Sequence, residues 1–182
     1  MDNFAEYLVK RQMSGGEKSK LMAVAFGGGL VTALMAVVSV LKLGDGSLFS
    51  FAGLLLAAAA GYGTFYYVQS QQVEYEYTFT NGTLDIAKII AKKRRKEILS
   101  VDVKDFTAFG KYDQNMESTE DMTEVLVSEN LASGEYYADF THETFGSTRL
   151  IFSPSESILE NICPFLRGQA RQQFQNEKKF KE

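Results

Sequence analysis

A chain of 182 residues with 45% apolar content and a formal charge of −4 has room for two membrane segments and one compact domain of about 100 residues. One cysteine, Cys163, excludes an internal disulfide and reads as a small buried apolar residue; one histidine, His142, excludes two-histidine metal motifs. The acidic balance, with no aromatic residues interleaved among the basic ones, argues against nucleic acid as a partner.

In chain order, residues 1–20 form a short N-terminal segment. Phe4, Tyr7, Leu8 and Arg11 share one helical face, which fits either an amphipathic helix along a membrane interface or a tail without regular structure. Charge then disappears over residues 21–41 and again over residues 46–73. A helix needs about 20 apolar residues to cross a bilayer's hydrocarbon core. The two runs therefore predict a transmembrane hairpin over residues 21–68, with spans of about 21–42 and 48–68. The link Leu43-Gly44-Asp45-Gly46 is too short to cross the membrane, so the helices must be antiparallel neighbours.

Lys10, Arg11, Lys18 and Lys20 precede the first span and a basic run follows the second, whereas the link contributes only Lys42. The positive-inside rule then places both termini in the cytosol and the chain in the cytoplasmic membrane. Two rows of small residues, Ala25, Gly29 and Ala33 in the first span and Gly53, Ala57 and Gly61 in the second, have the spacing that lets helices approach closely in lipid. They either seal the hairpin or receive a partner helix. No ionisable residue lies mid-span to build a proton or ion pathway.

From Val73 the period changes to two. Tyr75, Tyr77 and Phe79 alternate with polar residues as in a strand, and Asn81-Gly82 is a strong hairpin signal because a tight hairpin turn needs positive φ at both positions. A second strand is expected to run to about Ile90, a turn to fall on the basic run, and a third strand to occupy residues 98–103. Residues 106–112 are strand or loop, and further strands are expected over residues 123–128, 135–141 and 148–152. Ser153-Pro154-Ser155-Glu156 then opens a C-terminal helix that Pro164 should interrupt. A charged tail is expected over residues 175–182.

Six or seven short antiparallel strands closed by a C-terminal helix is the element order of a pleckstrin-homology-like (PH-like) barrel, here over residues 73–174. The expected fold class is thus a membrane helical hairpin plus a mainly-β PH-like barrel with a C-terminal helix. The chain also resembles a family of small bacterial membrane proteins in which a two-helix anchor precedes a PH-like cytosolic domain. The resemblance is carried by Met1-Asp2-Asn3-Phe4, Leu8-Val9-Lys10-Arg11, Val73-Glu74-Tyr75-Glu76-Tyr77, Thr80-Asn81-Gly82 and Asp85-Ile86. It continues through Ile89-Ile90-Ala91-Lys92-Lys93-Arg94-Arg95 and Phe109-Gly110-Lys111-Tyr112. It implies a fold and a membrane anchor; these motifs imply no activity.

Two charged features are candidate sites. Lys92, Lys93, Arg94, Arg95 and Lys96 are consecutive cations in an acidic chain. A strand leaving the membrane at Val73, and a second returning, would bring them back to the bilayer surface to contact anionic lipid. Against this stand a solvated hairpin tip and a simple topology signal. The stretch 113–143 carries Asp113, Glu117, Glu120, Asp121, Glu124, Glu129, Glu135, Asp139 and Glu143 with no lysine or arginine. It is either a docking face for a basic protein partner or a solvated acidic face, and it lacks the spacing of a calcium loop. No catalytic set, metal site or cofactor is expected. The composite reading is a membrane-anchored binding or scaffold module that contacts anionic lipid or a protein partner. The alternative is an accessory subunit of a larger membrane complex acting through its hairpin.

Overall fold

The computed structural model describes residues 3–46, 48–116, 121–129 and 134–179. The chain divides into two compact units, one of residues 13–72 and one joining residues 1–12 to residues 73–182.

The first unit is the helical hairpin, α1 (Gly15–Leu41) and α2 (Leu48–Ser70). Helix α1 begins earlier than its apolar run because Ser14 and Glu17 form a reciprocal capping box. The Ser14 hydroxyl accepts from the Glu17 amide at 3.2 Å, and the Ser14 amide donates to the Glu17 carboxylate at 3.0 Å. A short 3-10 turn (Leu43–Asp45), followed by Gly46 at φ 62, reverses the chain. Both helices are long and apolar enough to cross a membrane by length and composition. Their outward faces carry Phe26, Leu41, Leu48, Phe49 and Leu55, all exposed in the structure. Thr32, Ser39 and Thr64 each return their hydroxyl proton to the carbonyl four residues earlier, which satisfies these three donors within their own helices.

Among the described residues the second unit holds two four-stranded sheets. In the first, β1 (Phe4–Lys10), β2 (Val73–Thr80), β3 (Thr83–Ile90) and β4 (Arg94–Asp102) lie in that order, all antiparallel. In the second, the order is β5 (Ala108–Lys111), β7 (Tyr136–His142), β8 (Gly146–Phe152) and β6 (Thr123–Leu126). Strand β6 runs parallel to β8, which corrects the all-antiparallel expectation.

Strand β1 is the larger correction. The segment expected to be an interfacial helix or a tail is an edge strand, paired with β2 from Phe4↔Thr80 to Lys10↔Glu74. Ala5 and Val9 turn into the core, and the hairpin is therefore inserted between the first and second strands of one sheet.

The sheets do not close into the expected barrel. A 3-10 turn (Val103–Asp105) lifts the chain off the first sheet before β5, so no ladder joins β4 to β5. One backbone bond, from the Gln12 amide to the Glu129 carbonyl at 2.8 Å, links the extension of β1 to the chain following β6. The core between the sheets is aromatic. Tyr77 meets Phe152 edge-on at 5.8 Å, and Phe109 packs on Phe106 at 6.0 Å and on Phe174 at 5.3 Å. Each such buried ring contributes roughly 1.5–3 kcal/mol of apolar transfer. The Tyr77 hydroxyl donates to the Val127 carbonyl and accepts from the Ser153 amide at 3.3 Å, which satisfies its one polar atom inside the core.

At the C-terminus, α3 (Glu156–Ile162) is capped by the Ser155 hydroxyl, a 3-10 turn (Cys163–Phe165) follows with Pro164 inside it, and α4 (Gly168–Lys179) completes the fold. The proline thus breaks one helix into two, as expected from its missing amide. Helix α4 runs to Lys179, into the stretch read as a charged tail, whose residues 180–182 lie outside the described residues. It buries Ala170 and Phe174, and the Gln173 side chain accepts from the Phe109 amide at 3.3 Å along the outer edge of β5.

Candidate functional site

The register of the first sheet determines where its basic residues lie. Val73 pairs with Ile90, Glu74 with both Lys10 and Ile89, and Ile90 with Arg94. The end of β1, the start of β2 and the β3–β4 turn therefore share one end of the sheet. Gln71 and Gln72 alone separate α2 from β2.

The turn at this end comprises residues 91–93. The Lys93 amide donates to the Ile90 carbonyl at 3.1 Å, and Ala91 and Lys92 adopt φ 53 and φ 56. The β2–β3 turn has the same left-handed geometry but uses Asn81 and Gly82, the residues suited to it. Ala91 and Lys92 each take it at a conformational cost of order 1 kcal/mol. Local preference has given way at the position that carries a charge.

The five-residue basic run is not all turn, as the sequence had suggested. Lys92 and Lys93 lie in the loop, while Arg94, Arg95 and Lys96 open β4 at the sheet edge. All five are exposed. Alternation then sorts them. Arg95 lies on the outer face and makes an ion pair with Glu76 at 3.2 Å. Lys96 and Arg94 lie on the face that carries Ile86 and Leu84 into the core, together with Lys88.

A β-bulge strengthens this sorting. From Ile86↔Leu99, a regular ladder would put Ile98 opposite Ala87 and Glu97 opposite Lys88. Instead the register skips Ile98, so that Ala87 faces Glu97 and Lys88 faces Lys96. Ile98 packs against the core as a result. The electrostatic consequence is that an available opposite-charge pair, Lys88 with Glu97, is replaced by a like-charge pair, which by itself disfavours the ribbon by roughly 0.2–1 kcal/mol. Sequence reasoning missed Lys88; its position two residues after Ile86, on the same strand face, was the available signal.

The acidic stretch is not one continuous face. Asp139 is the register partner of Arg149 and takes two hydrogen bonds from it, each 2.7 Å. Glu129 accepts from the Gln12 side chain at 2.5 Å, and Asp113 accepts from the Asn115 amide at 2.9 Å. Glu135 is buried, and burial pushes its carboxyl above the usual glutamate range while a hydrogen bond from Ser128 pulls the other way. Asp121, Glu124 and Glu143 are exposed, and Glu117 and Glu120 lie outside the described residues. His142 stacks on Phe145 at 4.9 Å and accepts the Thr144 amide at its Nδ1. Among the described residues no group of three or more His, Cys, Asp or Glu side chains could hold a metal ion.

Within the hairpin, the two expected rows of small residues fare differently. A Cβ on Gly61 would lie 3.1 Å from the Thr32 methyl and one on Gly53 2.2 Å from the Ser39 hydroxyl, and Ala57 is buried. That row of α2 faces α1. Ala25, Gly29 and Ala33 do not face α2: all three are exposed, and Gly29 has nothing within 4 Å of its Cβ position. The seam of α1 is instead Gly28, Thr32 and Ser39, and a Cβ on Gly28 would lie 2.4 Å from the Thr64 hydroxyl. In an all-apolar span either row of small residues satisfies the spacing rule, and packing on the partner helix selects one.

Two mostly antiparallel sheets packed around an aromatic core and followed by C-terminal helices, with an apolar helical hairpin between the first two strands, define a PH-like domain with a built-in candidate membrane anchor. The chain belongs to the family described as "Bacterial PH-like domain (DUF6106)", whose match covers residues 1–172. No curated protein and no solved structure is detectably similar to it.

Proposed function

We propose that this protein is a membrane-anchored binding module whose hairpin spans the cytoplasmic membrane with both termini cytosolic, and whose PH-like domain contacts anionic lipid through its basic end. The supporting observation is the Val73↔Ile90 register. It puts the β3–β4 turn at the end of the sheet from which both chain connections to the hairpin leave. A two-residue connection after α2 then keeps Lys92, Lys93, Arg94 and Lys96 within reach of the headgroups on the cytosolic side. Each cation near such a surface gains about 1 kcal/mol at modest salt.

The test uses the full chain in nanodiscs of phosphatidylcholine alone or with added phosphatidylglycerol, followed by hydrogen exchange over residues 88–96. The reading expects slower exchange with phosphatidylglycerol, reversed by high salt and by changing Lys92 and Lys93 to glutamine. Identical exchange in both nanodiscs would count against it.

A second reading is favoured by one observation: Ala25, Gly29 and Ala33 lie outside the hairpin seam. That row can receive a helix of another membrane protein, making the chain an accessory subunit. Co-purification in mild detergent that is lost in G29L supports this reading; a monomeric chain that retains anionic lipid favours the first.

A further inference from the structure

On the core-side face, the basic end of the first sheet has an unusual charge pattern. The row Val9, Tyr75, Lys88, Lys96 is followed by a row containing Val73, Ile90 and Arg94. No carboxylate belongs to either row. The acidic residues of these strands, Glu6, Glu74, Glu76, Asp85, Glu97 and Asp102, register on the opposite face, where Arg95 is paired with Glu76. The bulge at Ile98 completes this separation by moving Glu97 away from Lys88. Among the described residues Lys88, Arg94 and Lys96 have no carboxylate within ion-pair distance, and Lys88 is half-buried.

Two ammonium groups opposed across a ladder repel until an anion sits between them. A phosphodiester headgroup offers one charge and two free oxygens. A phosphate monoester offers close to two charges and three strong acceptor oxygens, enough for both lysines and a neighbouring guanidinium at once. We propose that Lys88 and Lys96, with Arg94 beside them, form a site for the phosphate monoester headgroup of an anionic lipid. The inference rests on the lipid-contact reading and adds to it which lipid is preferred. Lys92 and Lys93, at the turn, supply non-selective attraction; the opposed pair supplies the discrimination.

The full chain in a neutral detergent is titrated with phosphatidic acid, phosphatidylglycerol or phosphatidylcholine, and bound lipid is counted by native mass spectrometry. Phosphatidic acid should be retained about tenfold more tightly than phosphatidylglycerol, the effect of one to two extra cation contacts. In K88Q/K96Q that ratio should fall to about one. K96E, which gives Lys88 a carboxylate partner in the same register, should lose the preference as well, and K88R/K96R should keep it. K92Q/K93Q should weaken both lipids while leaving their ratio unchanged. Thermal unfolding in the same detergent checks that each variant is folded.

Equal retention of phosphatidic acid and phosphatidylglycerol by the unaltered chain overturns the proposal and leaves the lipid reading standing. A ratio that survives in folded K88Q/K96Q also overturns it. Neither anionic lipid exceeding phosphatidylcholine overturns both. Displacement of phosphatidic acid by millimolar inorganic phosphate would identify a soluble phosphate as the ligand and overturn the assignment to lipid.

Discussion

Arg149 meets Asp139 across the β7–β8 ladder through two parallel hydrogen bonds, Nε to one carboxylate oxygen and a terminal nitrogen to the other, each 2.7 Å. The pair is nearly buried, and the guanidinium also lies 5.3 Å from the centre of the Tyr137 ring. Removing one partner leaves a charge in low dielectric, which costs about 3–5 kcal/mol for a fully buried pair. D139A should therefore destabilise the domain by about 3 kcal/mol in chemical unfolding. D139L/R149M, which removes both charges, should recover most of that loss.

The hairpin has a sharp internal control. Gly28 faces Thr64 with no room for a Cβ, whereas Gly29 faces open space. G28L should force the helices apart and abolish a disulfide engineered between position 32 of α1 and position 61 of α2, which face each other across the seam. G29L should leave that crosslink intact. Equal crosslinking in both variants would contradict the packing described for α1.

The β3–β4 turn adopts left-handed geometry with residues poorly suited to it, Ala91 and Lys92. Replacing them with asparagine and glycine, as in the neighbouring Asn81-Gly82 turn, should raise domain stability by about 1 kcal/mol. The same change removes one cation and should weaken phosphatidylglycerol retention about fivefold. Gain of stability with loss of lipid in one variant would show charge held at a conformational cost.

Glu135 is 3% exposed, and its Oε1 has no hydrogen-bond partner. Burial raises its carboxyl above the ordinary range, so the folded protein holds this proton at pH values where the unfolded chain has released it. Its contribution to stability therefore falls as pH rises from the unfolded glutamate value, about 4.3, through the folded one. E135Q should be more stable than the parent at pH 7 and equal to it near pH 3. Denaturation midpoints across that range check the sign.

Much of the domain was legible because local chemistry and tertiary structure agree there. Asn81-Gly82 marks its own turn, Tyr75, Tyr77 and Phe79 mark their strand face, and Pro164 marks the break between α3 and α4. Strand β1 was illegible for two reasons. Phe4, Tyr7 and Leu8 are exposed apolar residues that blur the alternation set by Ala5 and Val9, and the partner strand lies beyond the whole hairpin in sequence. The start of β4 was misread because its turn lacks the usual turn residues, so the charge run looked like the loop. The Lys88–Lys96 juxtaposition depends on a bulge, and no periodicity in the sequence announces where a ladder skips a residue.

The central claim is that the basic end of the first sheet, rather than its Asn81-Gly82 end, approaches the bilayer. Eight residues of strand separate the two ends by roughly 26 Å, enough to resolve with spin labels. With Cys163 replaced, a label at position 92 or at position 81 is compared in nanodiscs that contain nickel-chelating lipid. Strong relaxation at 92 and weak relaxation at 81 is the predicted result. Equal relaxation at both positions, or the stronger effect at 81, would contradict it.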